Sequence, residues 1–282
     1  MYQNKKCAKQ RLDEALVTRG LVASREQAGR LILAGQVRVN GTLIDKRARL
    51  VDAEAGIGIV GQPMPYVSRG GGKLEAALEA FEVECCGLVA MDVGASTGGF
   101  TDCLLQRGAS RVYAVDVGYG QLDWRIRRDP RVVLLERCNI RHLKVSSIAD
   151  PIDLVVIDVS FISLKLVIPS VVKFLSENAI LLALVKPQFE VGIGQVGRGG
   201  IVRDDAKRVE VTEKTLRYAE GLGFHRLGVL DSPITGKKGN REVLIGLRRS
   251  RSDRGEPDRS AKEALAGKRF LGIPHIHDAG GV

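Results

Sequence analysis

Short apolar segments that recur from residue 88 onward constrain the fold of this chain more than any other feature. The segment Leu154-Val155-Val156-Ile157 is apolar without interruption, as is typical of strands in a parallel sheet that is buried on both faces. The pattern predicts strands at residues 88–93, 111–117, 132–135, 153–159, 179–186, 224–230 and 242–247. Helices or loops separate most of them, and only a short turn separates the last two. We therefore expect an α/β fold with a doubly wound, Rossmann-like sheet of seven strands, the last antiparallel.

Residues 1–60 predict a separate, small α+β domain. Their apolar periodicity indicates two helices, and Ser24 with Gln27 has the spacing of a capping box at the start of the second. The dipeptide Asn40-Gly41 lies between two alternating segments, which is the strongest short signal for a β-hairpin. The expected order is therefore helix, helix, hairpin.

Positive charge is concentrated in this first domain. The whole chain carries a net charge of +10, and about half of that excess lies before residue 67. A basic balance favours polyanionic partners, either nucleic acid or an anionic membrane surface. Arginines outside the apolar stripes are candidates for a phosphate-binding face: Arg11, Arg25, Arg30 and Arg38. A solvated charged surface without a partner fits the composition equally well.

The remaining segments divide the chain further. Residues 61–66 contain two prolines and a glycine, which predicts a linker before the α/β domain at 67–248. Residues 249–282 are charged and poorly periodic, which predicts a mobile tail.

Cysteine content and hydropathy indicate a reduced, cytoplasmic protein. The five cysteines are odd in number and form no CxxC pair, so neither a disulfide framework nor a zinc site or other metal site is expected. The apolar run at 179–185 is far too short to span a bilayer, and the N-terminus lacks the apolar region of a signal peptide. We expect no membrane partner.

A glycine-rich loop after the first strand predicts a cofactor site. Its glycines allow the backbone to approach a nucleotide-like ligand, and an acid at the end of the second strand is placed to bind ribose hydroxyls. The loop is not GxGxxG and has no Walker lysine, which argues against a dinucleotide and against ATP hydrolysis. An acid that opens the loop suits the cationic end of S-adenosylmethionine. The candidate residues are Asp92, Gly94, Ala95, Ser96, Thr97, Gly98, Asp116 and Asn139.

Two alternatives without a bound cofactor stay open for these residues. The loop could merely pack a helix against a strand, and Asn139 could cap a turn rather than face an adenine.

Four charged residues are expected to meet at one edge of the sheet: Lys73, Asp158, Lys186 and Glu242. Asp158 and Lys186 end the fourth and fifth strands, and Glu242 begins the antiparallel last strand. Lys73 lies near the start of a helix that runs antiparallel to the first strand, so it reaches the same edge. Two amines and two carboxylates suit a hydroxyl nucleophile, with Lys186 as general base and Lys73 as a cation that either lowers the pKa of this base or stabilises the alkoxide. Salt bridges without a catalytic role are the alternative.

The segment after Lys186 predicts a flexible loop. Residues 191–200 contain five glycines, too many for a core element. We expect either a surface connection or a lid that closes over a target nucleotide, with Arg198 contacting phosphate.

Sequence motifs of both domains resemble known families. The stretch RLDEALVTRGLVASREQAGRLILAGQVRVNG is similar to the small RNA-binding domain shared by a ribosomal protein, tyrosyl-tRNA synthetases and pseudouridine synthases. The motifs VSRGGGKLEAAL, DVGASTGGF, DVSFISL, KPQFE and GNRE resemble the TlyA family, also labelled hemolysin A, whose catalytic domain is of the FtsJ type.

The resemblance carries expectations about function. It implies transfer of a methyl group from S-adenosylmethionine to a cytidine ribose 2′-hydroxyl in 16S rRNA, 23S rRNA or both, with ribosomal RNA or subunits as partners. It also implies that the four charged residues match a Lys-Asp-Lys-Glu tetrad and that Gly94–Gly98 with Asp116 match the cofactor loop. A membrane-active hemolysin and a non-catalytic RNA-binding assembly factor are the competing interpretations.

Overall fold

The structure is a computed structural model that describes residues 9–22, 24–33, 35–60, 65–192, 194–197, 199–236 and 239–249. Most of the predicted linker and, beyond residue 249, the predicted tail lie outside these residues.

The N-terminal domain has the predicted order of two helices and a hairpin, with three further short strands. Its elements are β1 (Lys9–Arg11), α1 (Leu12–Thr18), α2 (Arg25–Leu33), β2 (Val37–Val39), β3 (Thr42–Leu43), β4 (Leu50–Asp52) and β5 (Ile57–Ile59). The amide of Gln27 donates to Ser24 Oγ at 3.2 Å, which confirms the cap that precedes α2. Asn40 and Gly41 both adopt positive φ between β2 and β3, as a tight hairpin turn requires.

The α/β domain contains a seven-stranded sheet with helices on both sides. Its elements are α3 (Gly70–Ala80), β6 (Val89–Val93), α4 (Gly99–Gln106), β7 (Arg111–Val115), α5 (Trp124–Arg127), β8 (Val132–Leu135), β9 (Ile152–Ile157), α6 (Leu164–Val172), β10 (Leu175–Val185), α7 (Pro187–Glu190), α8 (Asp205–Glu220), β11 (Phe224–Asp231) and β12 (Val243–Arg249). The strand order is β11-β12-β10-β9-β6-β7-β8. Of these seven strands, β12 alone runs in the opposite direction to the other six, which confirms the predicted fold class.

The strand β9 shows why this sequence selects a sheet that is covered on both faces. Val155 and Ile157 pack into the core on one face, whereas Leu154 and Val156 pack into the core on the other. All four side chains are fully buried. A strand without a polar face is stable only between two layers of helices, because each face must be removed from water.

Strand register brings three of the charged residues to one edge of the sheet. Val185 of β10 pairs with Val243 of the antiparallel β12, so Lys186 and Glu242 leave these strands side by side. The parallel neighbour β9 ends at Ile157 and is followed by Asp158. The carboxyl ends of parallel strands therefore deliver these side chains to a common rim.

Candidate active site

Two lysine–carboxylate pairs form the centre of the site. Lys73 Nζ donates to Glu242 Oε2 at 2.5 Å, and Lys186 Nζ lies 2.6 Å from Asp158 Oδ1. All four residues line one cavity of about 530 Å³, so the structure brings the four predicted residues together.

The two pairs differ in their access to solvent. The side chains of Lys73 and Glu242 are 8% and 4% exposed, whereas those of Lys186 and Asp158 are 11% and 23% exposed. The amine of Lys186 also donates to Ser160 Oγ at 2.9 Å. The first pair is buried, and the second pair is partly exposed.

Close packing of two helix starts places Lys73 at this cavity. Lys73 lies in the first turn of α3, and a Cβ on Gly99 at the start of α4 would clash with Ser68 Oγ and lie 3.0 Å from the Gly71 amide nitrogen. Side chains at these positions would push the helices apart. The glycines therefore allow α3 to bring its lysine next to Glu242.

The glycine-rich loop forms another wall of the cavity. Gly94, Ala95, Ser96 and Thr97 line it. Gly94 has φ +90, and a Cβ there would lie 2.5 Å from the carbonyl oxygen of Asp158, so only glycine fits this approach between the two loops.

Asp116 stabilises the loop Gly94–Gly98 on the side away from the cavity. Its carboxylate accepts hydrogen bonds from the amide of Ser96 at 2.7 Å and from the amide of Gly118 at 2.6 Å. Asp116 itself lies outside the cavity wall, as do Asp92, Gly98 and Asn139. The structure thus joins four of the eight predicted cofactor residues in the cavity and keeps the other four behind or beside it.

Asp92 is fully buried beneath the loop. Its Oδ2 accepts from Thr101 Oγ1 at 2.7 Å, whereas its Oδ1 has no hydrogen-bond partner. Burial, with a smaller contribution from the nearby Asp158, raises the pKa of Asp92 to about 7. In this structure Asp92 fixes the start of α4 and does not face the cavity.

Asn139 caps a turn, which is the alternative raised by the sequence. Its Oδ1 accepts from the amide of Arg141 at 3.1 Å, at the start of a 3₁₀ turn over Ile140–His142. A contact between Asn139 and an adenine stays a prediction.

The predicted RNA-binding arginines have different partners in the structure. Arg11 and Arg25 meet at Asp13, at 2.9 and 3.3 Å, and the hydrogen bond from Arg11 lowers the pKa of Asp13 to about 2. Arg30 instead lies 3.9 Å from Asp123 of the α/β domain. Arg38 donates to the carbonyl oxygen of Gly41, and Arg198 lies outside the described residues.

Sequence reasoning missed two aromatic residues on the cavity wall. Phe161 is 90% exposed and has φ +64, and its ring centroid lies 5.0 Å from that of Phe189. Both side chains line the cavity. An apolar residue inside DVSFISL suggests a core position, and the sequence contains no signal that this one faces solvent.

Asn240 was also missed, although it belongs to the quoted motif GNRE. It is buried, donates from Nδ2 to the carbonyl oxygen of Gly200 at 2.9 Å, and accepts from the amide of Val202 at 3.0 Å. The described part of the segment 191–200, which follows Lys186, is therefore anchored at its C-terminal end, beside the cavity. Closure of this loop as a lid stays a prediction.

Comparison with known proteins identifies the family. A family model described as FtsJ-like methyltransferase matches residues 66–249, and an S4 domain model matches residues 10–57. The chain is 48% identical over 256 residues to the 16S/23S rRNA (cytidine-2′-O)-methyltransferase TlyA of Mycobacterium tuberculosis, which covers 90% of this chain and 95% of that relative. The chain belongs to the TlyA family. It is therefore an enzyme of the FtsJ-like methyltransferase class with an N-terminal S4 domain.

Other TlyA-family relatives carry a different name. Hemolysin A of Brachyspira hyodysenteriae is 42% identical, over 83% of this chain and 98% of that protein. A solved structure from Streptococcus thermophilus with the provisional name hemolysin has a TM-score of 0.70 and 41% identity, and covers 92% of this chain and 95% of that chain. Among the residues that our structure describes, no helix is both long and apolar enough to cross a membrane.

Proposed function

We propose that this TlyA-family enzyme transfers a methyl group from S-adenosylmethionine to the ribose 2′-hydroxyl of a cytidine in 16S rRNA, 23S rRNA or both. The observation that carries the proposal is the pair of lysine–carboxylate contacts on the wall of one cavity, next to a glycine-rich loop. The relative from Mycobacterium tuberculosis, which is named for this reaction, supports it. A cytoplasmic location agrees with such a substrate.

The residues around the glycine-rich loop fit S-adenosylmethionine. Gly94, Ala95, Ser96 and Thr97 line the cavity, and the absence of a Cβ at Gly94 lets the loop approach Asp158. Asp116 follows β7, where a carboxylate can bind ribose hydroxyls. We assign the binding of the cofactor to Gly94–Gly98 and Asp116, with Asp92 supporting the loop from below. When bound, the cofactor supplies a methyl group on a positively charged sulfur.

Lys186 is the proposed general base. Lys186 Nζ, which Asp158 and Ser160 orient, would accept the hydroxyl proton as the 2′-oxygen bonds to the methyl carbon and the carbon–sulfur bond of the cofactor breaks, with its electron pair left on sulfur. An amine accepts a proton only in its neutral form, so the base must exchange its proton with solvent between turnovers. The greater exposure of the Lys186–Asp158 pair favours it over the buried Lys73–Glu242 pair for this role.

Lys73 is the proposed fixed cation. Glu242 holds its amine at 2.5 Å, and a positive charge at a set position stabilises the oxyanion that develops at the 2′-oxygen. Because both members of this pair are buried, the positive charge lies in a poorly solvated site where electrostatic stabilisation is strong.

Recognition of ribosomal RNA is assigned to the S4 domain, residues 1–60, and catalysis to residues 67–248. Asp13 holds the guanidinium groups of Arg11 and Arg25 in place, and such preordered cations lose little freedom when they bind phosphate. Phe161 offers an exposed ring at the cavity, on which a base of the target can stack.

Purified protein tests the proposal directly. We expect incubation with S-adenosylmethionine and ribosomal subunits to add a 2′-O-methyl group to cytidine, as mapped by mass spectrometry of rRNA fragments. Lys186→Ala should lower the rate by about 10²–10⁴. Lys214→Ala is the matched control, since it removes a lysine from an exposed pair with Glu210. Unmethylated RNA in both subunits with the wild-type enzyme would overturn the proposal.

A further inference from the structure

Two segments of the catalytic rim contact each other at several points. One follows β9 and contains Ser160 and Phe161, and the other contains Lys186 and continues into α7. Lys186 donates to Ser160 at 2.9 Å, and the rings of Phe161 and Phe189 lie 5.0 Å apart. The motifs DVSFISL and KPQFE, which stood out in the sequence, are these two segments.

Glu190 joins the same two segments at the end furthest from Lys186. Its Oε2 accepts from Ser163 Oγ at 2.6 Å and its Oε1 accepts from the amide of Leu164 at 2.8 Å. Ser163 is the N-cap of α6, so the carboxylate of α7 is bonded to the start of α6. Burial raises the pKa of Glu190, which shows that the group is held in a site that disfavours its charge.

The segment between these contacts has a backbone that needs support. Phe161 has φ +64, a left-handed conformation that a bulky side chain rarely adopts. Such a conformation persists only where the surrounding contacts determine it. The backbone of Asp158 is fixed by the sheet, since its amide donates to the carbonyl oxygen of Val93 at 3.0 Å. The segment that contains Ser160 and Phe161 is held at its other end, where Ser163 Oγ and the amide of Leu164 donate to Glu190.

We propose that Glu190 is a positioning residue for methyl transfer. Its bonds keep Ser160 in contact with Lys186 and Phe161 in contact with α7. The inference rests on the proposed function of this rim. The hydrogen bonds of the Glu190 side chain go to Ser163 and Leu164, and not to the cofactor loop Gly94–Gly98 or to Asp116. We therefore expect Glu190 to affect the transfer step and the acceptor, and to leave cofactor binding unchanged.

Three variants separate positioning from general stability. Glu190→Ala removes both hydrogen bonds, and we expect kcat for ribosomal RNA to fall by about 10- to 100-fold, as misplacement of reacting groups does. Glu190→Gln should restore activity, because its amide oxygen can accept from Leu164 while its Nε2 donates to Ser163 Oγ. Glu210→Ala removes an exposed carboxylate and is the control, with wild-type activity.

Two further measurements accompany the activity assay. The affinity for S-adenosylmethionine should match the wild type in all three variants. Amide hydrogen exchange over residues 159–164 should be faster in Glu190→Ala and unchanged in Glu190→Gln. Should Glu190→Ala not fold, Ser163→Ala removes one of the two bonds, and we expect a smaller fall in kcat with faster exchange.

The outcomes distinguish this inference from the proposed function. Wild-type methylation of RNA with unchanged kcat and exchange in Glu190→Ala overturns the positioning role and leaves the function intact. Glu190→Gln as impaired as Glu190→Ala also overturns it, because charge rather than the two bonds would then matter. Faster exchange in Glu190→Ala without any RNA methylation by the wild type rejects the proposed function, and with it the role in methyl transfer, but shows that Glu190 holds the segment 159–164.

Discussion

The buried carboxyl of Asp92 predicts an unusual dependence of stability on pH. Its pKa is raised from 3.8 to about 7 in the folded protein. Between these values the folded protein keeps a proton that the unfolded chain has released. Raising the pH therefore lowers the free energy of unfolding by about 1.4 kcal/mol per pH unit, and by about 4 kcal/mol in all. The loss ends above pH 7, where both states are ionised.

Asp92→Asn removes this dependence. The amide cannot ionise, and its oxygen can still accept from Thr101 Oγ1. Its Nδ2 takes the place of the unpaired Oδ1, at a cost of about 1–3 kcal/mol that does not vary with pH. The difference in stability between variant and wild type should thus shift by about 3 kcal/mol in favour of the variant from pH 5 to pH 8.

Urea unfolding followed by circular dichroism measures this shift. The free energy of unfolding is determined for both proteins at pH 5, 6, 7 and 8, so that all other titrating groups cancel in the difference. Asp45→Asn, at an exposed position, is the control and should give parallel curves. Parallel curves for Asp92→Asn would refute the assignment of a raised pKa to this group.

Three further predictions concern the site and the S4 domain. Lys186→Ala should lose methyl transfer by about 10²–10⁴ with RNA binding nearly intact, and retained turnover would remove it as the base. Gly94→Ala should abolish cofactor binding in calorimetry, because the Cβ of the alanine would clash with the carbonyl oxygen of Asp158. Gly120 also has a left-handed backbone but has free space around it, so Gly120→Ala should only lower the free energy of unfolding by about 1–2 kcal/mol. Deletion of residues 1–60 should leave a folded domain that methylates ribosomal RNA poorly, and binding by the intact protein should weaken steeply with salt; a full rate without residues 1–60 contradicts the assignment of recognition to the S4 domain.

The sheet and its rim could be predicted because both follow from chain periodicity and topology. An uninterrupted apolar strand such as β9 determines a sheet that is covered on both faces, and parallel strands end at the same edge. The positions of Asp158, Lys186 and Glu242 then follow from counting to the strand ends. The strands β1, β4 and β5 could not be predicted, since three residues are too few to show a period of two.

Contacts between loops and the orientation of side chains could not be predicted from the sequence. Asp92 opens the glycine-rich loop in the sequence, but its side chain alternates to the buried face of β6, away from the cavity. Phe161 faces solvent and has a left-handed backbone, and neither property is indicated by a phenylalanine in the sequence. The bonds of Glu190 to Ser163 and Leu164 join motifs 26 and 27 residues apart, and only the folded loops bring them together.

The position of β12 in the sheet has a consequence for synthesis of the protein. This strand is the last in the described chain, yet it lies between β10 and β11 and pairs with both. During translation the S4 domain can fold first, whereas β11 has no neighbour in the sheet until residues 243–249 have emerged from the ribosome. Glu242 arrives with the same segment, so the partner of Lys73 is among the last groups delivered. A nascent chain that stops before this point has an incomplete sheet and a buried lysine without its carboxylate, so its candidate active site is also incomplete.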